Sequence, residues 1–152
     1  MELPRLATVR GEKTSTQSIP TSTFDKLDID SWTSNPSGAF TTDSPGADDV
    51  TINWSGVYVI SASILFPTPA NAFVFGGVAL YKNGSLDDWI IGFHGPDVAT
   101  RVNGAIVSEL AKGDYLSIYR WQTQSPTTTM TGSAATFTFF DVTFIDSLEV
   151  VS

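Results

Sequence analysis

The run Ser55-Gly-Val-Tyr-Val-Ile-Ser-Ala-Ser-Ile-Leu-Phe66 constrains the fold more than any other segment. It reads as a long β-strand. Side chains alternate across a strand, so Tyr58, Ile60, Ala62, Ile64 and Phe66 form one apolar row. Val57, Val59, Ser61, Ser63 and Leu65 form the other. An antiparallel strand with one wet face should carry polar or charged residues on it. This second row carries no charge at all, so both faces are expected to be covered.

Further strands follow from the same alternation and from turn chemistry. Leu3 to Val9, Phe24 to Ile29, Val50 to Trp54 and Phe73 to Lys82 read as strands. Asn83-Gly84 is the strongest hairpin signal in the chain and predicts Leu86 to Phe93 as the return strand. Thr100 to Leu110, Tyr115 to Gln122 and Ala134 to Ile145 complete the set. Asn35-Pro-Ser-Gly38, Gly95-Pro-Asp97 and Ala111-Lys-Gly-Asp114 read as turns, and Trp32 falls in a polar loop. The total is about eight to ten strands with no helix. The fold class expected is an all-β, two-sheet antiparallel jelly-roll sandwich, one domain spanning residues 1–152. Residues 1–17 would supply its first strand and a possible anchoring arm.

Composition agrees with an all-β chain. Four Glu, four Lys and four Arg leave few charged helix formers, while aromatics make up 12%. The net charge of −8 argues against nucleic acid and anionic membranes, both of which need cations at the surface. There is no cysteine, which excludes disulfides, thiolate zinc sites and cysteine nucleophiles. No run approaches the roughly 20 apolar residues that span a bilayer. Met1-Glu-Leu-Pro-Arg5 lacks the apolar segment of a secretion signal, so assembly in a reducing cytoplasm is expected.

Two more strands carry bulky groups behind their core row. In the last strand Phe140, Val142 and Phe144 make the better core row, which leaves Phe137, Phe139 and Asp141 on the other face. In Tyr115 to Gln122, Leu116 and Ile118 suit the core, which leaves Tyr115, Tyr119 and Trp121 outside. Taken as one flank with Val57, Val59 and Ser61, these residues would make a patch larger than monomers leave wet. A second copy of the chain is the expected cover, most simply in a trimer; its own loops or N-terminal segment are the alternative. Three copies of Asp141 near an axis would raise its pKa or recruit a cation, unless it is turned to solvent.

Catalytic candidates are sparse. His94 is the only histidine and has no nucleophile-elbow serine or orienting acid at a recognisable spacing. Asp48-Asp49 and Asp87-Asp88 lack the alternating ligands of a calcium loop and read as solvated acids. No cofactor or metal is expected. Trp32 is the best candidate for stacking a sugar; the plainer alternative is an indole folded over the sandwich edge.

Four segments in order resemble the tumour necrosis factor and complement globular-head superfamily. They are Ser55 to Phe66, Leu80-Tyr-Lys-Asn-Gly84, Glu109-Leu-Ala-Lys-Gly-Asp-Tyr-Leu-Ser-Ile118, and the aromatic closing strand Thr136 to Ile145. The resemblance covers most of the chain from Ser18 onward. It implies a ten-strand jelly roll and a threefold trimer with one sheet toward the axis. Asp141 stands where the family usually has a small residue. Similar modules occur in animal ligands, bacterial surface proteins and bacteriophage virions.

The function expected is therefore structural and adhesive, not enzymatic: a homotrimer on the surface of a bacteriophage virion, assembled in the host cytoplasm. Capsid decoration is preferred, with a major capsid protein or other virion component as partner and a host-surface glycan as a further possibility. A tail-fibre tip or carbohydrate-binding adhesin is one alternative. A receptor ligand of the tumour necrosis factor type is another.

Overall fold

The structure is a computed structural model and describes residues 6–15, 17–20, 22–35, 38–66, 76–93, 100–123, 128–130 and 138–147. Among these the chain runs β1 (Thr8–Glu12), β2 (Gln17–Ile19), β3 (Asp25–Lys26), β4 (Ser31–Asn35), β5 (Phe40–Thr42), β6 (Val50–Ile52), β7 (Gly56–Phe66), β8 (Gly76–Lys82), β9 (Ser85–Phe93), β10 (Thr100–Leu110), β11 (Tyr115–Gln122), β12 (Thr128–Met130) and β13 (Phe139–Ser147).

The strands form a two-sheet antiparallel jelly roll. One sheet has five strands in the order β10-β7-β13-β1-β4. The other has six: β5-β6-β11-β8-β9 in order, with β3 also on β11. The short pair β12-β2 stands apart from both. Consecutive strands therefore often change sheet, as β10 and β11 do. Such crossovers bury the inner rows of both sheets against each other.

The even row of β7 is the centre of the core. Tyr58, Ile60 and Ile64 are fully buried and Ala62 almost so. They pack with Val9, Phe140, Val142 and Phe144 of their own sheet and with Val50, Ile52, Val78, Leu80, Leu116 and Ile118 of the other. A fully buried isoleucine or phenylalanine of this kind contributes roughly 1.5–3 kcal/mol relative to exposure. Tyr58 keeps its hydroxyl satisfied by donating to the Trp54 carbonyl at 2.6 Å, and burial pushes that hydroxyl up to about 12.

The Asn83-Gly84 hairpin forms as its chemistry requires. Both residues take positive φ, 53° and 80°, and join β8 to β9. Other expectations need correction. The first strand of the described chain is Thr8–Glu12, later than Leu3 to Val9; residues 1–5 lie outside the described set. The polar stretch around Trp32 is not a loop but β4, paired edge to edge with β1. Ser125-Pro-Thr-Thr-Thr129 reads by composition as a loop, yet Thr128–Met130 forms a strand paired with β2. Polar strands of this type carry no apolar alternation, so only their ladder partners reveal them. The closing strand runs on to Ser147 through a bulge between Phe144 and Asp146, which takes Ile145 out of register.

Candidate interaction surface

The outward face of the five-stranded sheet is built by the residues that alternate with the core row. Val57 and Val59 on β7 are half-buried although they point away from the core. Val59 lies opposite Val107 of β10 on one side and Thr143 of β13 on the other. Val107 is 67% exposed, and Ile145, pushed out at the bulge, is 46% exposed. Val59, Val107 and Ile145 thus make an open apolar strip at one end of this face, and the exposed Glu109 and Asp146 lie on either side of Val57 beside it.

The middle of the same face is ionic. Ser61 pairs with Asp141 across the ladder, and Asp141 pairs with Arg10. The Arg10 guanidinium donates through Nε and Nη2 to both Asp141 oxygens, each at 2.7 Å. That hydrogen-bonded carboxylate raises the Arg10 pKa beyond its ordinary value, despite some desolvation. The carboxylate expected to crowd an axis is therefore neutralised within its own chain. Beyond it, Phe139 lies beneath Arg10, whose guanidinium carbon is 4.1 Å from the ring centroid. Arg101 approaches the same ring at 5.9 Å and donates to Ser63 Oγ at 2.8 Å. The ring and two cations make a cation–π layer on the sheet surface.

Tyr115, Tyr119 and Trp121 do not join this face. They belong to β11, in the opposite sheet, where Leu116, Ile118, Arg120 and Gln122 point inward. The single flank read from the sequence is two flanks, because the β10–β11 turn carries the chain from one sheet to the other. Tyr119 is moreover stacked on Tyr81 at 3.8 Å. Phe137 and His94 lie outside the described residues.

Trp32 turns inward. Its indole lies over Gly11, where a Cβ would come within 2.8 Å of Cζ3, and it meets Phe140 edge-on at 6.1 Å. Its Nε1 donates to Asp43 Oδ1 at 3.1 Å. The indole seals the sandwich edge. Among the described residues no three acidic or histidine side chains converge as a metal site.

Superposition on solved structures resolves what kind of jelly roll this is. Murine APRIL is similar with a TM-score of 0.65 at 12% identity, covering 93% of this chain and 100% of the other. The TNF Eiger from S. frugiperda is similar at 0.59 and 12%, covering 97% and 96%. The chain has a TNF-like jelly-roll fold. Rabbit GITRL matches this TNF-like fold with a TM-score of 0.57 at 15% identity, covering 96% and 99%. No family sequence profile matches the TNF-like chain. No curated protein matches it by sequence either. The likeness is one of backbone arrangement, and the side chains on the two outer faces are this chain's own.

Proposed function

We propose that this TNF-like chain is a non-enzymatic, homotrimeric structural and adhesive module whose five-stranded sheet faces its own copies. One observation carries the reading: Val57, Val59, Val107 and Ile145 gather on the outer side of a sheet whose inner side is already packed. Exposed apolar groups gathered in one patch mark contact surfaces. The family resemblance, with its threefold assemblies, supports the same stoichiometry. The Arg10–Asp141 pair supports it too, because a self-neutralised layer can be buried without leaving a lone charge.

Sedimentation of the full chain at micromolar concentration tests this. A species of three chains is expected, and Val59→Lys should shift it to single chains without loss of β-structure. A stable single chain in the wild-type protein would overturn the proposal.

Within this class we read the protein as a bacteriophage head-surface decoration, with a major capsid protein as partner. A small, cysteine-free, acidic jelly roll suits a particle surface assembled in a reducing cytoplasm. Immunogold labelling of purified particles should mark heads. Labelling of tail tips would favour a fibre-tip adhesin. A second reading, a soluble ligand of the TNF type, draws on the backbone likeness to Eiger TNF and APRIL. Absence from particles, with saturable binding to a cell-surface protein, would favour it.

A further inference from the structure

The apolar strip on the five-stranded sheet continues past the end of β1. The Phe144 N–H donates to the Ala7 carbonyl at 2.8 Å, so the pairing of β1 with β13 persists beyond Thr8 and sets Leu6 beside Ile145. Ala7 is fully buried, and Leu6, next in the alternation, is 69% exposed. Leu6, Ile145, Val59 and Val107 therefore line one end of the outer face, from the β1 side across to β10.

Two carboxylates border this strip. Glu109 of β10 and Asp146 of β13 stand directly opposite Val57, one on each side, and both are exposed. Directly opposed residues project from the same face of a sheet, so both acids share the face of Val57, roughly 10 Å apart across two strand spacings. Asp141, farther along the same face, is answered by Arg10. Among the described residues no ion pair reaches Glu109 or Asp146. Arg101 shares β10 with Glu109 but stands at the other end of it, roughly 26 Å away along an extended strand. Lys112, exposed in the turn after β10, is the nearest described cation along the chain. Counting it, the border still carries net negative charge in every copy.

We propose, building on the subunit contact above, that self-association through this face is gated by ionic strength, with Glu109 and Asp146 as the gate. Closing the strip around a symmetry axis brings the same border of each copy together, so like charges meet where apolar groups are buried. The two forces respond differently to salt. Repulsion between exposed charges is screened over a length that falls from about 30 Å in 10 mM salt to about 3 Å in 1 M. Burial of apolar surface needs no such screening. In dilute salt the carboxylates hold copies apart; with counter-ions present the strip closes.

Sedimentation equilibrium of the full-length protein in about 20 mM and about 500 mM sodium chloride tests the proposal. The concentration at which half the chains are assembled should fall about tenfold in the higher salt. Glu109→Gln combined with Asp146→Asn should assemble in dilute salt as readily as the wild-type protein does in concentrated salt, and should lose most of the salt response. Asp28→Asn combined with Asp88→Asn removes the same charge from exposed positions outside the five-stranded sheet. That control should keep the wild-type response, which separates the border from the net charge of −8. Assembly equally tight at both salt concentrations would overturn the gate and leave the subunit contact standing. Equal tightening by the control pair would also overturn it, because net charge would then suffice. Single chains at both salt concentrations, in the wild-type protein and in the Glu109→Gln, Asp146→Asn variant alike, would overturn the gate and the contact together.

Discussion

Arg10 and Asp141 lie 131 residues apart in sequence and meet as a forked ion pair on directly opposed positions of β1 and β13. Two parallel N–H to oxygen bonds fix the geometry that a single contact would leave loose. The pair also clamps Phe139 from above. It joins the N-terminal strand to the closing strand on the face where copies of the chain are proposed to meet.

Arg10→Ala should therefore lower the stability of the isolated chain modestly. Arg10 is 43% exposed at its side chain, so solvent screens the pair and about 1 kcal/mol is expected. A double-mutant cycle with Asp141→Asn in urea should give a coupling of about 0.5–1 kcal/mol. A coupling near zero would mean the fork is ornamental in solution.

Arg120 poses a larger test. It is fully buried on the core side of β11 and is bonded to Asp25 of β3. Desolvation lowers the Arg120 pKa, and desolvation also raises that of Asp25 against the pull of the arginine. Both directions say that burial costs this pair more than attraction returns. Asp25→Ala should cost about 3 kcal/mol by removing the carboxylate bonded to a buried cation. The double replacement Asp25→Leu with Arg120→Met should cost less than that single change. Denaturant midpoints of the two variants compare them directly, and equal losses would contradict the argument.

Asp30 governs stability in acid. Burial alone would push its carboxyl up, but the backbone N–H groups of Ser15 and Thr14, the Ser15 hydroxyl and nearby Lys13 hold it at about 2. The folded pKa is thus depressed below the ordinary 3.8. Its contribution is fully present above the unfolded pKa and disappears as pH falls from there toward 2. After allowance for its exposure, about 1 kcal/mol is expected. Urea midpoints between pH 5 and 2 should fall less steeply for Asp30→Asn than for the wild-type protein; parallel curves would refute the assignment.

Gly56 starts β7 beneath the bulge of β13. A Cβ there would meet the Phe144 ring at 2.6 Å and would approach the Asp146 carbonyl oxygen still more closely. Gly56→Ala should destabilise the chain by about 1–3 kcal/mol, since the obstacle is backbone that cannot step aside. Thermal unfolding reads this; an unchanged midpoint would show that the bulge can relax.

The long strands were legible in the sequence because each carries its own alternation. Tyr58, Ile60 and Ile64 announce a core row without any knowledge of what covers them, and Asn83-Gly84 announces its turn by the φ values those residues tolerate. β4 and β12 were not legible, because serine and threonine strands owe their shape to a ladder partner far along the chain. Trp32 illustrates the same limit: its inward turn depends on Gly11 leaving space across the ladder.

The proposed surface divides in the same way. Alternation within β7, β11 and β13 was enough to say which side chains turn away from the core. It could not say that Tyr119 and Val59 occupy opposite sides of the molecule, because sheet membership is set by pairings between distant strands. Nor could it say that Asp141 has a partner in Arg10, or that Leu6 lies beside Ile145. Local side-chain period is a property of the chain itself, whereas neighbours across a sheet exist only once long-range hydrogen bonding has chosen the register.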